Sequence, residues 1–148
     1  TTATFNSTEG VLFAEIAALY DDLTTNRGIA ISDGTSSNRV LIYYSNDSNQ
    51  INAIYTYNGT TQVNITKILS DSTQFTKFAF KYKENDCAFW IDGIEVGTDD
   101  TATAFAADTL NTLNFDSGAG GSDFYGKTKQ LMVFDEALSD SELATLTS

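Results

Sequence analysis

The chain has 148 residues, 41% of them hydrophobic and 12% aromatic, with 8 Lys+Arg against 20 Asp+Glu, a net charge of −12, and neither His nor Pro. That length suits one domain, residues 1–148, and a chain of this size buries roughly 68–70% of its extended surface. Its acidity repels phosphate backbones, which excludes nucleic acid as a partner, and no apolar run approaches the ~20 residues of a membrane span.

Without histidine, the Ser-His-Asp and Cys-His nucleophilic schemes and any His-based zinc site are unavailable. The single Cys87 leaves no internal disulfide. The opening Thr1-Thr2-Ala3-Thr4 has no charged and then apolar leader, so the chain is expected to be a segment of a larger multidomain protein. Asn6, Asn46, Asn58 and Asn64 each head an N-x-Ser/Thr triplet, but in a chain this rich in Asn, Ser and Thr such triplets arise by chance.

Short apolar stretches separated by Gly, Asn, Asp and Ser clusters predict an all-β sandwich. In chain order the strands are Val11 to Ile16, Gly28 to Ser32, Arg39 to Ser45, Ile51 to Tyr57, Gln62 to Ile68, Phe75 to Lys83, Cys87 to Asp92, Leu110 to Phe115 and Lys129 to Phe134. In the sixth, Phe78, Phe80 and Tyr82 share one face and Lys77, Ala79, Lys81 and Lys83 the other, so the first face is expected in the core and the second in water. Asn58-Gly59 and Asp92-Gly93 supply the positive φ of tight hairpins. Leu19 to Asn26 and Asp99 to Asp108 read as longer connections, and Ser117 to Ser122 (SGAGGS) as a flexible loop. Ser139 with Glu142 forms a capping box ahead of a short C-terminal helix with Leu138, Leu143 and Leu146 as apolar anchors, expected to pack on the sandwich edge.

Two blocks resemble a known family. Lys77 to Thr98 (KFAFKYKENDCAFWIDGIEVGT) is similar to the signature hairpin of laminin G-like jelly-roll domains. Leu113 to Thr147 continues the resemblance through a Gly-rich loop, Phe124-Tyr125-Gly126, a strand ending Val133-Phe134, and Ala137-Leu138-Ser139-Asp140 with Glu142-Leu143. Glu9 to Glu15 and Ile31 to Gly34 also resemble versions in phage tail and tail-fibre proteins. The resemblance implies a concanavalin A-like fold, a two-sheet antiparallel jelly-roll sandwich with a short C-terminal helix, and functions from glycan binding to structural spacing. Some members hold calcium with an acidic pair after the glycine of the last long strand. Here Lys129 and Gln130 stand at that place, so this ion site is not carried over.

Carboxylate pairs remain the one hydrolytic option, but no E-x-D-x-x-E arrangement lies on any strand. Catalysis is therefore not expected. A sugar stacks its C–H face on an aromatic ring and pairs its hydroxyls with Asn, Asp, Gln, Arg and backbone groups. Tyr43 and Tyr44 are adjacent, so one of them must point away from the core. Tyr55 and Tyr57 share a face, opposite Ile54 and Thr56. The resemblance places Phe89 and Ile91 in the core, which turns Trp90 outward beside Lys81. Arg39, Asp33 and Asn38 lie at strand ends or loops where they can meet hydroxyls.

The expectation is a non-catalytic carbohydrate-binding module recognising a polysaccharide through exposed aromatics, with Trp90, Tyr55, Tyr57, Tyr43, Arg39, Asp33 and Lys81 as ligand-binding residues. The alternative is a structural or adhesive spacer of a phage tail or cell-surface fibre. In either case the chain is placed outside the cell or on a virion, and a fibre component is expected to be oligomeric. No cofactor is required; calcium at Asp99-Asp100 or Asn46 to Asn49 is a minor option.

Overall fold

The computed structural model describes residues 5–148. The opening Thr1 to Thr4, on which the expectation of a leaderless segment rests, lies outside the described residues. Ten strands and one helix follow in order: β1 (Glu9–Ala18), β2 (Arg27–Ser32), β3 (Arg39–Tyr44), β4 (Gln50–Tyr57), β5 (Thr60–Ile68), β6 (Thr76–Lys83), β7 (Cys87–Ile91), β8 (Ile94–Asp99), β9 (Thr112–Asn114), β10 (Gly126–Phe134) and α1 (Asp140–Leu146). They form two five-stranded sheets, ordered β10-β1-β6-β7-β8 and β5-β4-β3-β2-β9. Every neighbouring pair is antiparallel. This is the all-β sandwich expected from the alternation, in the jelly-roll form that the resemblance implied.

Period-two patterning decides which side chains fill the space between the sheets. Leu12, Ala14 and Ile16 from β1, Phe78, Phe80 and Tyr82 from β6, and Phe89 and Ile91 from β7 meet Ile29, Ile31, Val40, Ile42, Tyr44, Ile51, Ala53, Tyr55, Val63 and Ile65 of the second sheet. The segment between β8 and β9 drops Ala102, Phe105 and Leu110 into the same core, with the Phe105 ring 4.6 Å from that of Tyr55. A stretch without alternation thus closes one end of the sandwich. The two tight hairpins are as expected: Asn58 and Gly59 have φ of 46° and 80°, Asp92 and Gly93 46° and 85°, the positive pair that matches the twist of the flanking strands.

Three expectations change. First, β8, the strand that the Asp92-Gly93 hairpin implied, was not itself delimited from the sequence; its residues IEVGTD are half-buried or exposed throughout, because it is an edge strand held only by β7 and carries little apolar signal. Second, α1 lies over the outer face of the first sheet rather than at the sandwich edge. Leu138 and Leu143 form a second small core there with Val11, Phe13, Ala79, Ala88 and Trp90. Third, the second face of β6 is wet only towards its ends: Ala79 is fully buried and Lys81 is 7% exposed, while Lys77 is half-buried and Lys83 exposed as expected.

The loop between β1 and β2 is held by Arg27, whose guanidinium donates to the backbone carbonyls of Thr25, Tyr20, Asp22 and Ser45 and lies over the Tyr44 ring. Its donors are matched to acceptors, which a buried cation requires.

Candidate functional site

With the helix covering the first sheet, the outer face of the second is the one that remains accessible in part. Its pattern follows from register. β3 sets Arg39 opposite Thr56, Leu41 opposite Ile54 and Tyr43 opposite Asn52 on β4, while Ser32, Ala30 and Gly28 of β2 lie on the other flank of the same three residues. Alternation keeps Val40, Ile42 and Tyr44 inside, so Arg39, Leu41 and Tyr43 all point out. The face thus reads as three rungs: a cation beside hydroxyls, an apolar middle of Ala30, Leu41 and Ile54, and a phenol beside an amide. Arg39 and Tyr43 stand about 13 Å apart along the strand.

The Gly-rich loop forms the rim. Gly118, at φ 92°, rests so close on β2 that a Cβ there would stand 3.0 Å from that of Ser32. Ser32 Oγ donates to the Gly118 carbonyl, and Gly28 N donates to that of Ser122. A cavity of about 100 Å³ remains between loop and sheet, lined by Asn26, Gly28, Arg39, Leu41, Tyr43, Ile54, Ser117 and Ser122. Gly28 leaves the space open: a Cβ there would fall 2.8 Å from a Leu41 methyl and 2.9 Å from Tyr43 Cβ.

Polar groups around this cavity are under-satisfied. Arg39 Nη1 donates to the Ser117 carbonyl at 2.6 Å, but Nε is screened from solvent and has no partner. Among the described residues the one salt bridge is Lys81 with Asp86, so no carboxylate neutralises Arg39. Burial pushes its pKa down and the Tyr43 phenol pulls it back up; starting so high, the guanidinium stays charged. Asn52 donates from Nδ2 to the Tyr43 hydroxyl at 2.7 Å, leaving the phenolic proton for another acceptor. Asn52 Oδ1 and Thr56 Oγ1 are buried without partners. Each such orphan costs about 1–3 kcal/mol; three lie on this face, while Ser72 Oγ and Trp90 Nε1 are buried without partners elsewhere, and a polar molecule entering here gains by pairing with Arg39.

A model of the concanavalin A-like lectin/glucanase superfamily, the Laminin_G_3 family, matches residues 19–144. The chain belongs to this family. Its sandwich superposes on solved members of several kinds at low identity. A carbohydrate-binding domain (CBM40) of the Ruminococcus gnavus IT-sialidase, bound to α2,3-sialyllactose, shares 13% identity at TM-score 0.73, covering 95% of this chain and 83% of that one. The leech intramolecular trans-sialidase shares 18% at TM-score 0.72; the match takes in 95% of this chain but spans only 23% of the leech enzyme. A heptameric SAP-like pentraxin from Limulus polyphemus shares 16% at TM-score 0.71, covering 99% of this chain and 73% of that one. No curated protein matches the sequence. These likenesses bear on the fold.

Within this concanavalin A-like sandwich the residues singled out from sequence scatter. Tyr43 and Arg39 come together at the cavity. Tyr55 and Tyr57 instead face inward: Tyr55 is 1% exposed, packs on Phe105, and donates its hydroxyl to the Thr103 carbonyl at 2.6 Å. Tyr57 sits half-buried at the core's margin, its ring 6.0 Å from Phe105. Tyr44 is likewise inside. Trp90 does turn away from the inter-sheet core, as the resemblance implied, but α1 covers it and leaves it 8% exposed. Lys81 lies on that covered face, with Nζ 2.6 Å from Asp86 Oδ1. Asp33 is engaged in its own turn: burial raises its pKa, but hydrogen bonds from Thr35 and Asn38 outweigh that and hold it low.

Open rings at Trp90 and Tyr55, and a free ammonium at Lys81, are therefore corrected. The expectation assigned strand faces correctly in β7 but could not see the helix that roofs it. Missed residues are Gly28, Asn52, Thr56, Ser117 and Ser122; the lone Asn52 in the apolar run Ile51 to Ile54 was the available signal. At the loops weighed for calcium, Asp99 accepts from Thr101 N and Asp21 accepts from Asn49 N. Among the described residues no three His, Cys, Asp or Glu side chains converge. A larger depression of about 430 Å³ runs along α1, lined by Phe134, Leu138, Ser141, Glu142, Thr145 and Leu146. Its one carboxylate, Glu142, is engaged in the helix cap.

Proposed function

We propose that the chain is a non-catalytic carbohydrate-binding module whose sugar site is the outer face of the β5-β4-β3-β2-β9 sheet, centred on Arg39 and Tyr43. The observation that carries this reading is the three-rung face itself: a cation, an apolar step and a phenol–amide pair on adjacent rungs, with Arg39 Nε unpaired beside a small cavity and Asn52 Oδ1 and Thr56 Oγ1 unpaired on the same face. A pyranose has matching parts, a C–H face for the partly exposed Tyr43, which packs on the buried Leu41 and Ile54, and hydroxyls for the polar rungs. About 100 Å³ is too little to enclose a drug-sized ligand, which needs roughly 300–1,000 Å³. The site suits one ring or one substituent of a chain lying across the sheet.

Binding without turnover is favoured because no Asp or Glu lines the cavity, whereas glycoside hydrolysis usually needs two carboxyls flanking the scissile bond. The sialyllactose-bound module of Ruminococcus gnavus supports sugar binding on this architecture. The small share of the leech enzyme's length that the chain matches is in keeping with one module in a larger protein; its place outside the cell or on a virion is part of the proposal.

Affinity electrophoresis through gels carrying plant, algal and bacterial polysaccharides, with sialyllactose as a soluble competitor, tests this. At least one polymer should retard the protein, Tyr43→Ala should relieve the retardation, and Trp90→Phe should not. A folded protein that no polymer retards would instead be a structural spacer.

A further inference from the structure

Arg39 and Arg27 are the two arginines of the chain, and the contrast between them is informative. Arg27 is enclosed by four backbone carbonyls and stacks on Tyr44, so its charge is matched within the fold. Arg39 makes one guanidinium hydrogen bond, from Nη1 to the Ser117 carbonyl, and has no carboxylate within salt-bridge distance among the described residues. In a chain of net charge −12 carboxylates are abundant, yet none of them lines this cavity.

Resting on the glycan-binding reading above, we propose that the sugar recognised at this face is an acidic one, whose carboxylate docks on Arg39. Ser117 occupies Nη1 and fixes the plane of the guanidinium; Nε is unpartnered but screened from solvent, so a carboxylate reaches the Nε–Nη2 edge by entering the cavity between loop and sheet. Two parallel N–H groups on that edge match the two oxygens of a planar carboxylate. A neutral hydroxyl satisfies one donor and leaves the half-buried charge uncompensated; a carboxylate does both. The ring bearing it then sits at the mouth of the cavity, and a second ring or substituent reaches Tyr43, whose phenolic proton is free. The protein's overall negative field opposes an acidic ligand only at a distance, because at physiological ionic strength charges beyond about 8 Å are largely screened.

Calorimetric titration with matched ligands tests the assignment: oligogalacturonate against neutral galacto-oligosaccharide, sialyllactose against lactose, and a sulfated galacto-oligosaccharide as the tetrahedral anion. The carboxylated member of at least one pair should bind about tenfold or more tightly than its neutral partner, Arg39→Gln should abolish that preference, and Arg39→Lys, which keeps charge but loses the fork, should restore little of it. Equal binding of a neutral partner, unaffected by Arg39→Gln, would overturn this assignment and leave the glycan reading intact. Preference for the sulfated sugar over the carboxylated one would overturn it too. No binding to any sugar would remove both. Should Arg39→Gln fail to fold, the selectivity of the unmodified protein decides alone.

Discussion

Trp90 shows how one side chain changes meaning with its surroundings. On its strand it alternates away from Phe89 and Ile91, and an outward tryptophan on an open sheet would be a natural sugar platform. Here α1 turns it into core, packed with Val11, Phe13, Leu138 and Leu143. Replacing it is then a stability experiment: Trp90→Ala should lower unfolding free energy by about 3–5 kcal/mol in urea melts, while the fraction still folded keeps its affinity for any polysaccharide that retards the native protein. A second residue-scale expectation concerns pH. Burial pushes the Cys87 thiol up to about 11 from 9.0. Between those values the unfolded chain has lost its thiol proton and the folded chain retains it, so stability falls as pH rises through the window. Burial raises the pKa of Tyr44, Tyr55 and Tyr82 as well, which extends the loss above pH 10. Urea midpoints measured from pH 8 to 11 should decline, and less steeply for Cys87→Ala below pH 10; a flat profile would contradict the burial argument.

At the scale of elements, the strands differ in how loudly they announce themselves. β6 and β7 carry alternating aromatics against a core and were legible as strands from spacing, though the resemblance was needed to say which face of β7 turns inward. β8 was not legible in this way, because half of an edge strand's identity lies in the partner that hydrogen-bonds it. The capping box was legible to the residue: Ser139 Oγ accepts from Glu142 N, and Glu142 Oε1 accepts from Ser139 N. Where that helix lands was not, since Leu138 and Leu143 specify an apolar surface without naming it. The Gly-rich loop looked featureless in sequence and proves to be the rim of the cavity. Gly118 combines positive φ with close approach to Ser32, so Gly118→Ala should displace the loop and withdraw the Ser117 carbonyl from Arg39. Because the loop is largely exposed, the thermal midpoint should change little, while sugar retardation weakens markedly. Unaltered retardation would separate the loop from the site.

For the whole molecule, strand spacing and turn chemistry sufficed for an all-β sandwich, since patterning with period two leaves few alternatives, and the laminin G-like resemblance supplied its two antiparallel sheets. Locating the site required knowing which outer face the C-terminal helix takes. That depends on tertiary packing, and it removed Trp90 and Lys81 from contention while leaving Arg39 and Tyr43. The account therefore turns on one face of one sheet. Backbone amide shifts of ¹⁵N-labelled protein, followed while oligogalacturonate or sialyllactose is added, address this most directly. The account predicts saturable changes concentrated at Gly28, Arg39 to Tyr43, Asn52 and Ser117 to Ser122; changes confined to α1 and the neighbouring end of β10, with the sheet face silent, would contradict it.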